Sequence, residues 1–352
     1  MAVDLGKVVA EVKENISIGD LEGKRVAIDA YNTIYQFISI IRGPDGTPLT
    51  DSKNRVTSHL SGLFYRTTSL LEQGVAPIFI FDGKPPVLKQ RTLEARANRR
   101  NEAQAEWEKA RAQGQMEEAR AFAVQSSKIN KWIVDSSKEL LTHMGVPYIQ
   151  APSEGEAQAA TMVREGIVYA AASQDYDLFL FGSDVIVRNL TITGKRKLPG
   201  KGIYITVEPE RILLKKLLDN LKLTRQQLIW MGMLIGTDFN EGIDKVGPKT
   251  ALKIVNEHKS LKEIEAYVKE KYNTEFEVDP QEVEAIFMKP DTLEIGAKEL
   301  DEKIAKATPS KDAIMKFMCD EHEFSPDRIT KNADKLVALR HSSGQKGINS
   351  WL

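Results

Sequence analysis

The sequence predicts an α/β protein whose mixed, mostly parallel central sheet is flanked by helices. Short apolar strands alternate with helical stretches between residues 24 and 207, as strand–helix–strand crossovers require. A long, Ala-rich, charged helical stretch at residues 92–144 is inserted among them, and a helix–loop–helix follows at residues 224–254. Hydrophobic residues make up 41% of the 352, so the core can be large.

The composition narrows the class of protein. The 49 basic and 50 acidic residues nearly cancel, so the net charge of −1 does not by itself indicate a nucleic-acid partner. Cys319 is the only cysteine, which excludes an internal disulfide and a cysteine-based zinc site. The N-terminus lacks the apolar segment of a signal peptide, and no apolar run is long enough to cross a bilayer. We therefore expect a soluble intracellular protein with no membrane contact.

Acidic residues follow three of the predicted strands. The strand at 24–30 ends near Asp29, the strand at 76–82 ends with Asp82, and the strand at 168–173 leads to Asp175 and Asp177. Side chains two apart on a strand point the same way, so we expect Asp175 and Asp177 to share a face. Because the carboxyl ends of parallel strands meet at one edge of a sheet, these acids should converge there.

Three further acids extend the pattern. Glu154 and Glu156 open a predicted helix directly after the apolar segment 146–149, and Asp238 follows the predicted helix at 224–235. Clustered carboxylates resist joint ionisation unless a cation lies among them. Oxygen ligands of this kind suit Mg²⁺, with Mn²⁺ as an alternative, rather than zinc.

Each pair of acids also has an interpretation that needs no metal. Ser153 and Glu156 fit a capping box, and Asp175 with Asp177 fits a polar turn at a strand end. The recurrence of acids at several strand ends favours a metal site over these local interpretations.

Basic residues cluster directly after Asp82 and outnumber acids up to residue 100. Lys89 and Arg96 are seven apart, which places them on one face of a helix. A charge run is usually a solvated helical face, and we interpret residues 106–111 in that way. The loop at 193–202, between two predicted strands, carries four basic residues and three glycines; it fits phosphate contact or a solvated hairpin tip.

Two segments near the end of the chain suggest contacts with partners. Backbone N–H groups at the start of the helix after Gly247 can hold a phosphate, with Lys249 and Lys253 in support, although a plain helical hairpin is the alternative. Residues 341–344 predict a flexible linker. Residues 345–352 predict a one-turn amphipathic plug for a partner's pocket, with a frayed terminus as the alternative.

Several motifs, in this order and spacing, resemble those of the flap endonucleases, the structure-specific nucleases of archaeal and eukaryotic replication. The motifs are at residues 28–30, 79–86, 151–157, 173–177, 236–238 and 246–249. Each is weak alone, but together they are highly specific. The resemblance covers residues 3–255 and the tail.

The resemblance implies a PIN-like 5′-nuclease core over residues 1–325 and a flexible tail at 326–352. The core would carry a helical arch at about 84–135, through which a single-stranded 5′ flap threads, and a duplex-binding helix–hairpin–helix region at about 224–260. The implied function is removal of 5′ flaps at the junction of single strand and duplex, with 5′–3′ exonuclease activity, in repair and in the maturation of Okazaki fragments. The implied chemistry is two-metal-ion phosphodiester hydrolysis.

Matching positions also imply roles for individual residues. The acids assigned mainly to a first Mg²⁺ are Asp29, Asp82, Glu154 and Glu156, and those assigned to a second are Asp175, Asp177 and Asp238. Lys89 and Arg96 match the catalytic basic residues of the arch. The DNA-binding residues would be Tyr35, Arg66, Arg99, Arg100, Gly247, Lys249 and Lys253, and the turn at Gly242, Ile243 and Val246 resembles a K⁺-assisted duplex-binding loop.

The expected partners are flap or nicked branched DNA and the sliding clamp (PCNA), bound by a monomer. Gln345, Ile348, Trp351 and Leu352 match the clamp-binding motif. The chain departs from the family in starting Met-Ala and ending Trp-Leu. The absence of a basic extension after the motif favours the archaeal branch, hence a place in the cytoplasm with the nucleoid; a eukaryotic member would be nuclear.

Three other functions compete with this one. An Asp-x-Asp phosphatase would need a small hydroxyl residue where Phe179 stands, which counts against it. A related metal-dependent ribonuclease or exonuclease would share the acids but need no arch, duplex loop or clamp tail. A non-catalytic, clamp-bound scaffold would have no need of all seven acids.

Overall fold

The computed structural model describes residues 3–43, 46–192, 194–197 and 204–345. Within these ranges the chain forms a seven-stranded mixed sheet and a separate two-stranded hairpin. The strands in chain order are β1 Glu14–Asn15, β2 Arg25–Asp29, β3 Ala76–Phe81, β4 Tyr148–Gln150, β5 Ala170–Ala172, β6 Val185–Arg188, β7 Gly194–Lys197, β8 Tyr204–Val207 and β9 Glu210–Leu213.

The large sheet has the strand order β1-β9-β6-β5-β2-β3-β4. The five strands from β6 to β4 are mutually parallel, while β9 and β1 continue the sheet antiparallel at one side. This confirms the predicted fold class. The sequence did not predict β1 and β9, which are short and partly polar; β9 pairs with β6, and β1 pairs with β9. The predicted hairpin between the strands at 185–190 and 203–207 is wrong in its pairing. β6 pairs with β9, whereas β8 pairs with β7, which residues 194–197 of the predicted basic loop form. Residues 198–203 lie outside the described ranges.

Helices surround the sheet and account for the rest of the core. They are α1 Gly6–Val9, α2 Ala30–Ile40, α3 Ser58–Glu72, α4 Gln90–Ala112, α5 Met116–Gln125, α6 Lys131–His143, α7 Gly155–Arg164, α8 Asp177–Leu180, α9 Leu214–Leu221, α10 Arg225–Ile235, α11 Pro248–Glu257, α12 Leu261–Tyr272, α13 Pro280–Met288, α14 Ala297–Lys306, α15 Lys311–Met315 and α16 Pro326–Gln345. Short 3₁₀ helices lie at Ile18–Leu21, Val87–Lys89 and Leu190–Ile192, and a π-helix at Lys316–Glu321. In the described ranges, none is both long and apolar enough to span a membrane.

Both faces of the parallel sheet are buried. Ile78 and Ile80 of β3 pack in the core that contains α7 and α10, whereas Phe79 and Phe81 pack in the core that contains α2 and α3. A strand covered on both faces has no polar side, which explains why the parallel strands appear in the sequence as continuous apolar runs. The carboxyl edge of the sheet is therefore where polar side chains collect.

The charged helical insertion between β3 and β4 forms a pair of packed helices followed by a third. The predicted break near Gly114 is confirmed, because Gly114 has φ +73° between α4 and α5. A second break at residues 126–130 was not predicted. There Asn130 caps α6 by accepting a hydrogen bond from the Ile133 amide at 2.9 Å. Only Ala103 and Ala110 of α4 are buried, so most of this helix faces solvent.

The end of the described chain corrects a prediction. Residues 326–345 form the continuous helix α16 rather than a flexible tail, and the helix runs through the expected linker at 341–344. Ile329 and Ala333 are fully buried against the core that contains α3 and α15. Residues 346–352, which include Ile348, Trp351 and Leu352, lie outside the described ranges.

Candidate active site

Four of the acids lie where neighbouring parallel strands end. Asp29 is the last residue of β2, and Asp82 directly follows β3. Asp175 lies in the turn after β5, and Asp177 is the first residue of α8. The expectation that Asp175 and Asp177 share a strand face is therefore wrong. The turn from β5 into α8, not strand alternation, brings them to the site.

The other three acids approach from helix ends. Glu154 is the N-cap of α7 and Glu156 lies in its first turn. The alternative capping box is not formed, because the N-cap is Glu154 instead of Ser153 and no side chain caps the helix. Asp238 lies in the loop after α10 and is only 7% exposed. The helix α7 is thus left open at its N-terminus toward the acids, where its dipole favours negative charge.

Backbone N–H groups hold two of the carboxylates. The Gly155 amide donates to Asp82 Oδ1 at 2.7 Å, and the Val3 amide donates to Asp177 Oδ1 at 2.8 Å. A Cβ atom at Gly155 would lie 2.6 Å from Asp82 Oδ1, so the close approach of α7 to β3 requires glycine there. The first described residues of the chain are in this way part of the site.

Two neutral side chains link the acids to one another. The Ser173 hydroxyl lies 3.2 Å from Asp29 Oδ2 and 3.1 Å from Glu156 Oε1. The Asn32 amide nitrogen Nδ2 donates to Asp175 Oδ2 at 3.1 Å, and the Asn32 backbone N–H donates to Asp29 Oδ1 at 2.9 Å. Neither Ser173 nor Asn32 was predicted from the sequence as a site residue; Asn32 stands three positions after Asp29, the N-cap of α2.

Lys89 and Arg96 both reach the acids, as their spacing predicts. Lys89 ends a short 3₁₀ helix just before α4, and its Nζ pairs with Glu154 and lies 3.3 Å from Asp238 Oδ2. Arg96, on α4, pairs with the other oxygen of Asp238. Thr92 adds a hydrogen bond to the Asp238 carbonyl at 2.8 Å. The base of the helical insertion is therefore anchored on the acidic site.

Burial and mutual repulsion raise the pKa of most of the acids. Burial, followed by the charge of Asp82, raises the pKa of Asp29 to about 8, and burial with the charge of Asp238 raises that of Asp177 to about 7. Burial and the charges of Asp175 and Asp177 hold the pKa of Glu156 well above its ordinary value. Glu156 thus has its strongest carboxylate neighbours among the acids assigned to the second metal.

The basic residues change this balance locally. Burial also raises the pKa of Asp82 and Glu154, although the charge of Lys89 partly opposes the shift. Asp238 differs, since Lys89 and Arg96 lower its pKa despite its burial. Lys89 is itself buried, which disfavours its charge, but Glu154 and Asp238 outweigh that penalty and raise its pKa.

The donor set fits a divalent cation. All of the candidate ligands are carboxylates, and burial together with mutual repulsion raises the pKa of Asp29, Glu156 and Asp175, which a divalent cation among them would oppose. No three His, Cys, Asp or Glu side chains among the described residues already form a group that could enclose a metal ion. The Lys89 ammonium group lies between Glu154 and Asp238 and supplies part of the missing charge.

The predicted DNA-binding residues lie on several elements. Tyr35 on α2 is 37% exposed, and Arg66 on α3 and Arg99 on α4 are exposed. Arg100 on α4 is half-buried. Lys249 and Lys253 are exposed on α11, where Lys253 lies 3.7 Å from Glu257. Gly247 is the N-cap of α11 and has no side-chain cap.

The loop between α10 and α11 is tightly folded. The Ile243 amide donates to the Leu234 carbonyl at 2.9 Å, and Ile243 and Val246 are buried. Gly242 passes so close to α10 that a Cβ atom would lie 2.1 Å from the Ile235 carbonyl oxygen. Asn240 fastens the loop by donating to the Met233 and Glu241 carbonyls at 2.8 and 2.7 Å. The loop thus has its own internal hydrogen bonds and leads into a helix without a side-chain cap. A plain helical hairpin requires neither feature.

Two family models match the chain over its acid-bearing sheet edge, and their class is the metal-dependent nucleases of the XPG type. Residues 1–103 match the XPG N-terminal domain and residues 145–238 match the XPG I-region. These two ranges contain all seven acids together with Lys89 and Arg96. The helical insertion beyond residue 103 lies between them.

Curated relatives and a solved structure identify the family. The chain is 46% identical to Flap endonuclease 1 of Pyrococcus abyssi, with 100% of this chain and 98% of that protein covered. It is 47% identical to Flap endonuclease 1 of Methanococcoides burtonii over the whole of both chains. The structure of flap endonuclease-1 from Methanococcus jannaschii superposes with a TM-score of 0.73 at 36% identity, covering 97% of this chain and 99% of the other. The chain belongs to the flap endonuclease family.

The raised pKa of Asp29 predicts a pH-dependent effect on stability. The carboxyl binds its proton more tightly in the folded protein, with a pKa of about 8, than at its ordinary value of 3.8. Its contribution to stability is therefore fully present below pH 4 and is lost as the pH rises through about 8. With a chelator present, Asp29→Asn should raise the free energy of unfolding at about pH 8 by about 1–3 kcal/mol, and the gain should shrink toward about pH 4.

Urea unfolding in EDTA at several pH values measures this gain. Asp219→Asn, at an exposed position on α9, is the matched control and should change stability little at any pH. A loss of stability in Asp29→Asn at about pH 8 would mean that the hydrogen bonds to Asn32 and Ser173 outweigh the repulsion.

Proposed function

We propose that this protein is a structure-specific DNA endonuclease that removes 5′ flaps where single strand meets duplex, and that it also acts as a 5′–3′ exonuclease. Its roles would be the maturation of Okazaki fragments and DNA repair. The observation that carries this proposal is the contact of Lys89 and Arg96, from a helical insertion, with acids gathered at the sheet edge. The relatives named Flap endonuclease 1, at 46 and 47% identity over the full length, support it.

The metal centre would use the seven carboxylates. Two Mg²⁺ ions held by these residues would supply activation of the attacking water and stabilisation of the leaving oxygen. Asp29, Asp82 and Glu154 would hold mainly the first ion, and Asp175, Asp177 and Asp238 the second. Glu156 lies between the groups, because its strongest carboxylate neighbours are Asp175 and Asp177 and then Asp29. Mn²⁺ would be an alternative ion, since it accepts the same oxygen ligands.

Lys89 and Arg96 would act on the phosphate. Both now pair with acids, so a cation among those acids would weaken their attraction for the basic side chains. The released charges can then neutralise the scissile phosphate, where a preorganised cation stabilises the transition state. Both residues lie at the base of the α4–α5 arch, so a single strand beneath the arch would meet them at the acids.

Duplex would be held by contacts to its backbone. The N-terminus of α11 has no side-chain cap, and Gly247, Lys249 and Lys253 are exposed there, as a phosphate site would require. Arg99 and Arg100 on the arch and Arg66 on α3 would add phosphate contacts, and the half-exposed Tyr35 ring would stack on a base near the cut. The loop that contains Gly242, Ile243 and Val246 would bind K⁺ through its carbonyl groups.

The competing functions have less support. A ribonuclease or exonuclease without flap preference would need neither the arch nor the built α10–α11 loop. A non-catalytic scaffold does not explain why so many buried acids are kept at a cost in stability. The phosphatase is disfavoured because Phe179, at the required hydroxyl position, is fully buried in α8.

The partners and the place in the cell follow from the same proposal. Gln345, Ile348, Trp351 and Leu352 would dock into the sliding clamp (PCNA), carried beyond the core by α16. The enzyme would act as a monomer on flap or nicked branched DNA. Because the curated relatives named above are archaeal, we place it in the cytoplasm with the nucleoid.

Cleavage of a labelled 5′-flap duplex in Mg²⁺ tests the function, beside blunt duplex and an RNA hairpin. We expect wild type to cut flap DNA near the junction, and Asp175→Ala to be at least about 100-fold slower because a cation ligand is lost. Good digestion of the RNA or the blunt duplex without flap cutting would mean that the protein is a metal-dependent nuclease with a different substrate. No cutting of any substrate would favour the scaffold.

Lys89→Ala and Arg96→Ala should separate chemistry from binding. Each should slow single-turnover cleavage by about 10²–10³-fold, since each removes a charge at the reacting phosphate, while flap affinity changes much less. Lys249→Ala is the contrasting variant. It should weaken binding and lower the slope of log K against log salt by about one, with little effect on the chemical step. Equal losses in rate and affinity for the arch variants would contradict the catalytic role.

Trp351→Ala should weaken clamp binding without changing cleavage. The indole is the largest apolar group of the motif, so its loss should reduce affinity for an archaeal PCNA by about 10-fold or more. Calorimetry with the full chain measures this, and Lys346→Ala is the control within the same segment. Unchanged affinity in Trp351→Ala would assign clamp binding elsewhere.

A further inference from the structure

Ser173 and Asn32 connect acids that come from three separate parts of the fold. We propose that these two neutral residues are positioning residues, which hold Asp29, Glu156 and Asp175 in the arrangement that binds the divalent cation. The proposal rests on the proposed metal site. It assigns roles to two side chains that were not predicted and that carry no charge.

The Ser173 hydroxyl lies within hydrogen-bond distance of three polar groups. It is 6% exposed and lies within hydrogen-bond distance of Asp29 Oδ2, at the end of β2, and Glu156 Oε1, on α7. It also accepts a hydrogen bond from the Asp175 backbone N–H at 3.2 Å. A hydroxyl has one proton, so two carboxylates share a single donor. Ser173 therefore holds two acids together that would otherwise repel one another.

Asn32 makes a second bridge from α2. Its backbone N–H binds Asp29, and its side-chain Nδ2 donates to Asp175 Oδ2. The side chain of Gln36, one turn further along α2, donates to Asn32 Oδ1. This contact fixes which side of the amide faces Asp175, because only the nitrogen side can donate to a carboxylate. Gln36, Asn32 and Asp175 thus form an oriented chain.

Neutral donors suit this purpose better than basic residues. A lysine or arginine that pairs with a carboxylate neutralises it and competes with a metal ion, as Lys89 and Arg96 do at Glu154 and Asp238. A hydroxyl or amide orients the carboxylate and leaves its charge in place. The bridges also use only one oxygen each of Glu156 and Asp175. Partners that orient metal ligands in this way typically contribute a factor of about 10–100 to metal affinity.

Mn²⁺ binding to the DNA-free, full-length protein tests the proposal without any need for activity. Ser173→Ala and Asn32→Leu remove the bridging donors and should raise the Kd for Mn²⁺ by about 10–100-fold. Ser173→Thr keeps the hydroxyl and should bind Mn²⁺ within about threefold of wild type. The matched control is Ser183→Ala, because Ser183 is equally buried but donates to the Val185 carbonyl at 3.0 Å.

Calorimetry gives the Kd, and melting in EDTA against melting with Mn²⁺ separates positioning from folding. A purely structural role would lower the melting temperature equally in both conditions and leave the Kd unchanged, and this result would overturn the proposal. A smaller rise in melting temperature on adding Mn²⁺, together with rescue by Ser173→Thr, would support it. Absence of Mn²⁺ binding by wild type would overturn the metal site itself. If wild type binds Mn²⁺ and both Ser173→Ala and Asn32→Leu bind it with the same Kd, the positioning role alone would be overturned.

Discussion

Repulsion among buried carboxylates is the constraint around which this site is built. Acids from the ends of β2, β3 and β5 meet others from α7 and from the loop after α10. Burial, followed by repulsion from neighbouring carboxylates, raises the pKa of Asp29, Glu156 and Asp177. The parallel sheet, covered on both faces, is the rigid support that keeps the acids together despite it.

The protein offsets the repulsion in three ways. Backbone N–H groups of Gly155 and Val3 hold Asp82 and Asp177. The neutral side chains of Ser173 and Asn32 bridge acids without removing their charge. Lys89 and Arg96 bring positive charge to Glu154 and Asp238 from the arch. The first two sets form part of the folded core, whereas the third belongs to an insertion with few buried residues.

This division connects the arch with the acids. Lys89, just before α4, contacts Glu154 and Asp238, and Arg96 and Thr92 of α4 also contact Asp238. A change in charge among the acids therefore acts on the position of the arch base as well as on any bound ion. Arg91 adds a more exposed ion pair with Glu277, so the arch base is held from two sides. The base of the helical insertion and the acids thus share one set of electrostatic interactions.

The sequence by itself determined the parallel strands, the order of the acids and the basic pair at residues 89 and 96. Short continuous apolar runs that alternate with helical stretches favour strands of a sheet covered on both faces, and acids that end such strands meet at its edge. The resemblance to family motifs supplied the other predicted residue roles. Each motif is weak evidence alone, but their order and spacing together are specific.

Only the tertiary structure decided which contacts hold the site. Asp175 and Asp177 come after the end of β5, and the turn from β5 into α8 brings them to the other acids. Asn32 contacts Asp175, which is 143 positions away, and Ser173 contacts Asp29, which is 144 positions away. No local sequence pattern predicts such a pair. The helix α16 is stabilised because Ile329 and Ala333 pack against apolar side chains of helices distant in sequence. These features depend on long-range packing, which sequence periodicity does not record.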